Sequence, residues 1–374
     1  MNFENLKINE KIINGLNAMG INEPTEIQKE IIPAALNGEN LIGQSETGTG
    51  KTLAYLLPTI EKIDTSKKEM QCIILAPTHE LAIQINNTIN ELKKASALDI
   101  TSTSLIGSAN IKRQIESLKA KPHIIVGSAG RILELIGKKK VSAHTIKTII
   151  IDEVDKLLDK NNLPVVKNII KATQKYTQVM MFSATLNGKT LDIAKTLKEN
   201  INLISVKNNK VNENINHNYI KTDGRKKIET LRKLINAIKS QKILVFNNDS
   251  YTTNTAIEFL KSNSIKVDAI GGNGRMEDRK RALENFRKGN IQVLIASDLA
   301  ARGLDIKGVT HVINFDIPED ANDYLHRAGR VGRAGETGEV FSLVDDREEK
   351  IIKMHEKNFK INIREKHLYK GNIE

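Results

Sequence analysis

The sequence has no tryptophan, one cysteine and few aromatic residues, and each scarcity excludes a class of protein. Cys72 is the only thiol among 374 residues, so neither an intramolecular disulfide nor a cysteine-based zinc site can form. This usage is typical of a reducing compartment, and we expect a cytoplasmic protein. Aromatic residues make up 4% of the chain, which disfavours recognition of nucleic acid by rows of stacked rings.

Long hydrophobic runs are also lacking. No apolar run approaches the ~18 residues that a membrane-spanning helix needs. The N-terminal segment MNFENLKINE has neither the basic nor the apolar region of a secretion signal. We therefore expect no contact with a membrane.

Positive charge is in excess and the chain is long. Lys and Arg number 57 against 45 Asp and Glu, which gives a net charge of +12. Such an excess suits a polyanionic partner such as nucleic acid or an acidic membrane surface. A length of 374 residues predicts two domains of roughly 150 to 200 residues each.

Short β-branched runs alternate with helix-length segments in both halves of the chain. Examples are QCIILAP and TIIIDE in the first half, and KILVFN and QVLIASD in the second. Fully apolar strands separated by helices predict an α/β fold with parallel sheets covered on both faces. An asparagine-rich stretch without apolar periodicity predicts a linker at 207–215, between domains at 1–206 and 216–374.

A glycine-rich loop stands between two apolar segments near the N-terminus. Residues 45–52 read SETGTGKT, after NLIG and before LAYLLPTI. Strand, glycine-rich loop, Lys-Thr and helix form the arrangement in which backbone N–H groups hold phosphates. Gly48 and Gly50 permit the loop, Lys51 reaches the outer phosphates and Thr52 is placed to bind magnesium. The alternative is a glycine-rich turn that opens an ordinary helix.

Two acids end the very apolar run TIIIDE. A carboxylate such as Asp152 at the end of a buried parallel strand, beside a phosphate loop, commonly holds magnesium through water. The adjacent Glu153 can orient or deprotonate the attacking water. The alternative is a helix cap with an acidic first turn, which the upstream phosphate loop makes less attractive.

Three arginines recur every third residue near the end of the chain. The run YLHRAGRVGRAG places Arg327, Arg330 and Arg333 between glycines, and each Gly costs a helix roughly 1 kcal/mol against Ala. Glycines here indicate close approach of another group. Arginines that reach a bound nucleoside triphosphate stabilise charge on the γ-phosphate and raise the rate by about 10³ to 10⁵.

In this order along the chain, the motifs resemble those of the DEAD-box ATP-dependent RNA helicases of superfamily two. The resemblance extends from Phe3 to about Val344. It implies two tandem RecA-like domains, each a mostly parallel sheet flanked by helices, with ATP and RNA bound across the interdomain cleft. No second phosphate loop follows residue 216, so one ATP per chain is expected.

The resemblance also implies roles for individual residues in the nucleotide site. Gln28 would hydrogen-bond the adenine edge, Phe3 would pack on the ring, and Asp305 would face the ribose. The phosphate loop would comprise Ser45, Glu46, Thr47, Gly48, Thr49, Gly50, Lys51 and Thr52. The catalytic and metal-binding groups would be Lys51, Thr52, Asp152, Glu153, His326, Arg330 and Arg333, with ATP and Mg²⁺ as the bound species.

Further positions match the coupling and RNA motifs of the family. Ser183 and Thr185, in Ser183-Ala184-Thr185, would link the ATP site to unwinding through contacts with Asp155 and His326. The expected RNA contacts are Pro77, Thr78, Gly107, Gly130, Arg131, Arg279 and Ser297.

Most departures from the family pattern fall on the RNA side. The Arg of the motif PTRELA is His79 here, and Ser108, Ser128-Ala129 and Met276 also replace the usual residues. Arginine offers phosphate a permanently charged planar fork that histidine lacks. We therefore expect a weaker or differently placed grip on the RNA backbone.

Three functions are compatible with these motifs. The first is an RNA-dependent ATPase that hydrolyses ATP to ADP and phosphate and locally separates short RNA duplexes or remodels ribonucleoprotein. The second is an ATP-gated RNA clamp or assembly scaffold with little unwinding. The third is a DNA-directed or protein-directed motor, which Gln28 and the acids of 152–155 disfavour. We expect a monomer that holds single-stranded or short duplex RNA by its backbone, with a protein or ribonucleoprotein partner for targeting.

Overall fold

The computed structural model describes most of the chain. The described residues are 2–45, 49–107, 109–184, 186, 188–206, 214–240, 242–271, 276–301, 306, 308–332 and 336–374; for 276, 277, 299 and 322 this covers the backbone alone. The chain divides into two compact units, Met1–Asn208 and Asn209–Glu374. Of the linker predicted at 207–215, residues 207–213 lie outside the described part, and Ile215 already begins a strand.

The first unit is built on a seven-stranded parallel sheet. Its strands are β1 Asn40–Gln44, β2 Cys72–Leu75, β3 Ser102–Leu105, β4 Ile124–Gly127, β5 Thr148–Ile151, β6 Gln178–Ser183 and β7 Ile201–Ser205. They are arranged in the order β3-β4-β2-β5-β6-β1-β7. The four strands β2, β4, β5 and β6 are buried along their whole length, as their apolar sequences predict for a sheet covered on both faces.

Helices cover both faces of this sheet. They are α1 Glu10–Ala18, α2 Glu26–Leu36, α3 Lys51–Glu61, α4 His79–Ala95, α5 Ile111–Leu118, α6 Ala129–Gly137, α7 Val154–Leu157, α8 Leu163–Ala172 and α9 Gly188–Leu197. Successive strand residues face opposite sides. In β5, Ile150 joins the core on one face, while Ile149 and Ile151 join the core on the other.

The second unit repeats this architecture. Its strands are β8 Ile215–Lys221, β9 Ile243–Phe246, β10 Val267–Ile270, β11 Val293–Ala296, β12 His311–Asn314, β13 Gly338–Val344 and β14 Ile363–Glu365. They form a second parallel sheet in the order β10-β11-β9-β12-β13-β8-β14. Its helices are α10 Lys227–Ile238, α11 Ser250–Ser262, α12 Met276–Arg287, α13 Asp298–Ala301, α14 Ala321–Ala328 and α15 Glu349–Phe359.

A short antiparallel hairpin follows the second sheet. It consists of β15 Leu368–Tyr369 and β16 Asn372–Ile373. Leu368 and Ile373 pack against one of the cores of the second unit. The predicted α/β class with parallel sheets is confirmed, and it takes the form of two tandem RecA-like domains. Within the described part of the chain, no helix combines the length and apolarity that crossing a membrane requires.

Candidate active site

The carboxyl ends of the strands in the first unit divide the predicted site residues into two groups. Ser45, Asp152 and Ser183 stand at the ends of β1, β5 and β6, which are neighbours in the sheet. Pro77 and Gly107 follow β2 and β3, which lie in the other half of the same edge with β4 between them. Ligands of open α/β sheets bind at this edge. The topology therefore gathers the predicted nucleotide residues in one half and the predicted RNA residues in the other.

The phosphate loop leads directly into α3. Gly50, with φ of 90°, precedes Lys51 at the start of this helix, and a left-handed residue of this kind is best filled by glycine. The Lys51 ammonium donates to the Ser45 carbonyl, and the Ser45 and Thr49 hydroxyls are 2.7 Å apart. Glu46, Thr47 and Gly48 lie outside the described residues. The loop thus ends at a helix N-terminus, whose unpaired N–H groups attract anions.

Gln28 ties this loop to the start of α2. Its side-chain oxygen accepts from the Thr25 N–H at 3.0 Å, and its side-chain nitrogen donates to the Gly50 carbonyl at 3.0 Å. A side chain at position 50 would collide with this amide. Because a primary amide has two N–H groups and two oxygen lone pairs, Gln28 can hold the loop and also hydrogen-bond a base.

Phe3 lies in the core of the first unit. Only 1% of this residue is exposed, and it packs in the same cluster as Leu6 and Ile8. Its ring is covered by protein, so stacking on adenine would require the N-terminal segment to move aside. The role that the resemblance implies for Phe3 stays a prediction.

Asp152 is a buried carboxylate held by two hydrogen bonds. Tyr55 donates its hydroxyl to Oδ2 at 2.9 Å, and the Glu153 N–H donates to Oδ1 at 3.0 Å. Burial raises the pKa of Asp152, while the nearby Lys51 ammonium opposes that rise. A bound cation would favour the ionised carboxylate in the same way as Lys51 does.

Glu153 has a left-handed backbone conformation. Its φ is 49° at the start of the short helix α7. A side chain in this region costs of order 1–2 kcal/mol, and such strain clusters at functional sites. Glu153 thus separates β5 from α7: Asp152 follows the end of β5, and Asp155 lies in α7.

A hydrogen bond connects β6 with α7. The Ser183 hydroxyl donates to Asp155 Oδ1 at 2.6 Å, and Lys156 lies 3.8 Å from the same carboxylate. The resemblance implies such a contact between Ser183 and Asp155. Thr185, the third residue of that motif, lies outside the described residues.

The predicted RNA contacts of the first unit surround Gly107. Arg131 donates to the carbonyls of Gly107 and Ala109 at 2.8 and 3.2 Å and pairs with Glu134 at 3.1 Å. A side chain at position 107 would lie 3.5 Å from His79 Nε2. Arg131 and His79 therefore both border this loop.

Three further positions complete that region. The Thr78 hydroxyl accepts from the Leu81 N–H at 3.2 Å and so caps α4, of which His79 is the first residue. Pro77 is half-buried, and Gly130 is exposed in the first turn of α6 with open space beside its Cα. Ser108 lies outside the described residues.

In the second unit, Arg327 is the centre of a buried ionic cluster. Its guanidinium is 1% exposed and makes two hydrogen bonds of 2.7 Å to Asp298. It also donates to the Asp316 carbonyl at 2.5 Å and lies 5.0 Å from the centre of the Phe246 ring. This first arginine of the cluster is thus bound to α13 and to the end of β12.

The other predicted residues of the second unit lie close to the same elements. His326 belongs to α14, with Nδ1 4.0 Å from Asp323, and the buried Arg330 follows the end of this helix. Arg279 donates to the Ala300 carbonyl at 2.6 Å, and Ser297 accepts from the Ala300 N–H at 3.3 Å. Arg333 and Asp305 lie outside the described residues, as do the side chains of Met276 and Leu299.

The structure adds one residue to the predicted nucleotide site of the first unit and gives another, in the second unit, a different role. The sequence predicts Tyr55 only as part of an apolar helix. It follows Thr52 by one helical turn, however, and so shares the same helix face. Arg327 was grouped with Arg330 and Arg333 as a candidate for phosphate contact. Its burial against Asp298 and Asp316 instead makes it a structural residue.

The oxygen donors beside the phosphate loop fit a magnesium ion that shares its ligands with a nucleotide. Asp152 and the hydroxyl of Thr52 are hard oxygen donors, and Mg²⁺ usually binds one or two protein oxygens together with phosphates and waters. Over the described residues, no group of three or more His, Cys, Asp or Glu could hold a metal by itself. A site built from protein alone is therefore not seen there.

Two family models match the chain. The DEAD/DEAH box helicase model matches residues 25–194, and the helicase conserved C-terminal domain model matches residues 226–335. The DEAD-box ATP-dependent RNA helicase CshC of Bacillus cereus is 39% identical over 95% of this chain and 90% of its own length. The probable ATP-dependent RNA helicase YfmL of Bacillus subtilis is 39% identical over 93% of this chain and 92% of its own length.

Solved structures give the same result. Dbp5 of S. cerevisiae, bound to RNA and ADP BeF3, superposes with a TM-score of 0.89 at 30% identity over 97% of this chain and 95% of that one. Mss116p bound to single-stranded RNA and AMP-PNP has a TM-score of 0.86 over 97% of this chain and 78% of that one. At 22% identity, this second likeness concerns the fold alone.

Proposed function

This chain belongs to the DEAD-box ATP-dependent RNA helicases, and we propose how its residues perform the RNA-dependent ATPase and helicase activity of that family. The observation that carries the assignment is that Ser45, Asp152 and Ser183 stand at the ends of adjoining strands, with Lys51 bonded to the Ser45 carbonyl. On this proposal, residues 1–206 bind ATP, 216–374 form the second helicase domain, and 207–215 connect them.

Phosphate binding falls to the loop 45–52 and the N-terminus of α3. Lys51 would exchange its contact with the Ser45 carbonyl for the outer phosphates of ATP, because a charged acceptor binds an ammonium more strongly than a neutral carbonyl does. Gln28 would read the adenine edge while it holds Gly50. Phe3 and Asp305 would contact the base and the ribose.

Mg²⁺ would be held by the Thr52 hydroxyl and by Asp152, the latter through water. When bound, the ion neutralises charge on the phosphates. Burial of Asp152 in a site bordered by Lys51 supports this role, because such a carboxylate gains most from a cation.

Glu153 would orient and deprotonate the attacking water. Its left-handed backbone directs it away from the path of β5, while its own N–H keeps Asp152 in place. Arg330 and Arg333 would stabilise the charge that develops on the γ-phosphate, with His326, Asp155, Ser183 and Thr185 linking hydrolysis to RNA. Products are ADP and phosphate.

RNA would be held mainly by its backbone, through Pro77, Thr78, Gly107, Gly130 and Arg131 of the first unit and Arg279 and Ser297 of the second. If ATP and RNA favour the same state, each strengthens binding of the other by the same factor. Short duplexes would then lose base pairs locally when that state forms. We expect a cytoplasmic monomer that a protein or ribonucleoprotein partner directs to its substrate.

Replacing Glu153 tests the hydrolytic step. In Glu153→Gln we expect RNA-stimulated ATPase to fall by about 10² or more, since general-base catalysis contributes about 10² to 10⁴. Nucleotide affinity should change little, because the substitution keeps the backbone N–H that binds Asp152. Turnover is measured by phosphate release, and affinity by a fluorescent nucleotide analogue.

The control is Glu116→Gln, which alters an exposed glutamate paired with Lys119 and should leave both readouts unchanged. Equal loss of turnover in the two variants would contradict the role of Glu153.

Nothing in the fold or in the relatives favours the alternative of an ATP-gated clamp with little unwinding. Strand separation of a labelled short RNA duplex with ATP, compared with a non-hydrolysable analogue, tests that alternative directly.

A further inference from the structure

The hydroxyl of Tyr55 contacts one of the two residues that the proposed function assigns to magnesium. Tyr55 follows Thr52 by one turn of α3 and is fully buried. It donates to Asp152 Oδ2 at 2.9 Å. One buried hydroxyl therefore joins the helix that carries Thr52 to the carboxylate of Asp152.

These contacts fix the orientation of the Asp152 carboxylate. Its Oδ1 accepts from the Glu153 N–H and its Oδ2 accepts from Tyr55, so rotation about the terminal bond would break both hydrogen bonds. The Tyr55 ring is itself held against Phe182, with ring centres 5.0 Å apart.

Packing alone does not require this hydroxyl. The side chain lies in the hydrophobic core of the first unit, where an unbonded hydroxyl is costly and a phenylalanine would fill the same volume. Its hydrogen bond to Asp152 offsets that cost. A polar group in such a place is best explained by what it orients.

We propose that Tyr55 is a positioning residue, which sets the Asp152 carboxylate in the orientation that a magnesium–nucleotide complex requires. Tyr55 does not touch the nucleotide and takes no part in proton transfer. The proposal rests on the proposed function, in particular on the assignment of Asp152 and Thr52.

The test is Tyr55→Phe, read by equilibrium binding instead of turnover. The affinity of the full chain for a fluorescent ADP analogue is measured over a series of Mg²⁺ concentrations and in excess EDTA. We expect the Mg²⁺ concentration at half-effect to rise about tenfold, the equivalent of one hydrogen bond to a charged group. Affinity in EDTA should stay within about twofold, since the ring packing is kept.

Thr59→Val is the matched control, because Thr59 is a buried residue of the same helix whose hydroxyl donates to the Tyr55 carbonyl at 2.7 Å and, among the described residues, to no other group. It should leave the Mg²⁺ dependence unchanged. Thermal unfolding of both variants reports any general loss of stability. A shift in Tyr55→Phe no larger than in Thr59→Val would overturn the role of Tyr55.

A double substitution separates action through Asp152 from action on the fold. If Tyr55 works through that carboxylate, Tyr55→Phe has little further effect on the Mg²⁺ dependence once Asp152→Asn is present. Additive losses would overturn the proposal. If the nucleotide affinity of the wild-type chain does not depend on Mg²⁺, the assignment of Asp152 and Thr52 to magnesium is refuted. The role of Tyr55 is then refuted as well.

Discussion

At the scale of single residues, the charged groups of the first unit serve different purposes in the two halves of the site. Lys51 contacts the neutral Ser45 carbonyl, which a phosphate could replace, while Asp152 is held by Tyr55 and by the Glu153 N–H. Arg131 is occupied by the carbonyls of Gly107 and Ala109 and by Glu134. Among the predicted RNA contacts of this unit, the one arginine thus shapes a loop instead of offering its whole guanidinium to phosphate.

Position 79 has histidine where the family motif has arginine, so a permanent positive charge could be introduced there. His79 borders the Gly107 loop at the start of α4, so an arginine there could place a charged fork at the surface assigned to RNA. In His79→Arg we expect the RNA concentration for half-maximal ATPase to fall about three- to tenfold, the range of one added charge-assisted contact. ATP affinity without RNA should not change.

The control adds the same charge elsewhere. His144 is exposed and precedes β5, at the amino end of the strands, so His144→Arg lies away from the edge that holds the site. Equal tightening by both variants would show a general charge effect and contradict a specific role for position 79. No tightening by His79→Arg would contradict the expected weak grip on RNA.

At the scale of elements, α14 is fixed on two sides. Arg327 binds it to α13 and to the end of β12, as described above. On its other side, the Tyr324 ring stacks on His355 of α15, with ring centres 4.5 Å apart. The Tyr324 hydroxyl lies 2.9 Å from Nδ1 of His217 in β8. The helix that carries His326 is therefore held by both an ionic cluster and an aromatic stack.

The aromatic stack should make the stability of the second unit depend on pH. Burial lowers the pKa of His217 from 6.5 to about 4, so the folded unit binds its proton less readily than the unfolded chain does. This stabilisation of the folded second unit is complete above pH 6.5. It is lost as the pH falls from 6.5 through about 4. Between about pH 7 and about pH 5 we expect a loss of about 2 kcal/mol from this residue.

Urea unfolding of the wild type and of His217→Asn measures this contribution. Asparagine can still accept from the Tyr324 hydroxyl but does not titrate, so the variant should lose less stability on acidification. The lowered pKa of the buried His355 acts in the same direction in both proteins and cancels in the comparison. Equal pH dependence in the two proteins would refute the assignment.

Elements could be predicted from the sequence where burial was complete. The fully buried strands β2 and β5 stand out in the sequence as the apolar runs QCIILAP and TIIIDE. β3 and β7 do not, because edge strands with the sequences STSL and INLIS remain partly exposed and carry polar residues. The terminal hairpin was missed because its two strands have two residues each, too short for any periodicity.

The residues of the candidate site also divide into those that the sequence predicts and those that it does not. Lys51, Asp152 and Ser183 could be predicted because each has a characteristic neighbour in the sequence. The bond between Tyr55 and Asp152 joins residues 97 positions apart, and that between Arg327 and Asp298 joins residues 29 apart. Side chains this distant meet only through the order of the strands, which no local pattern encodes.

At the scale of the whole molecule, the net charge of +12 and the scarcity of aromatic residues favour one manner of RNA binding. A protein that neutralises phosphates releases counterions, so the logarithm of its affinity falls linearly with the logarithm of salt concentration. Stacking on bases depends on aromatic side chains and gives only modest preferences among the bases. The salt and base dependence of binding therefore distinguish the two modes.

We expect single-stranded RNA to bind with a salt slope of about −2 or steeper, which corresponds to about three or more neutralised phosphates. Homopolymers of uridine and adenosine should bind within about threefold of each other, since backbone contacts do not read the base. Fluorescence anisotropy across a salt series, with a non-hydrolysable ATP analogue present, measures both. Tyr251 is 81% exposed at the start of α11, and Tyr251→Ala should change neither quantity. A shallow slope, together with a loss of affinity in Tyr251→Ala and a preference between the homopolymers, would show that this chain holds RNA by its bases.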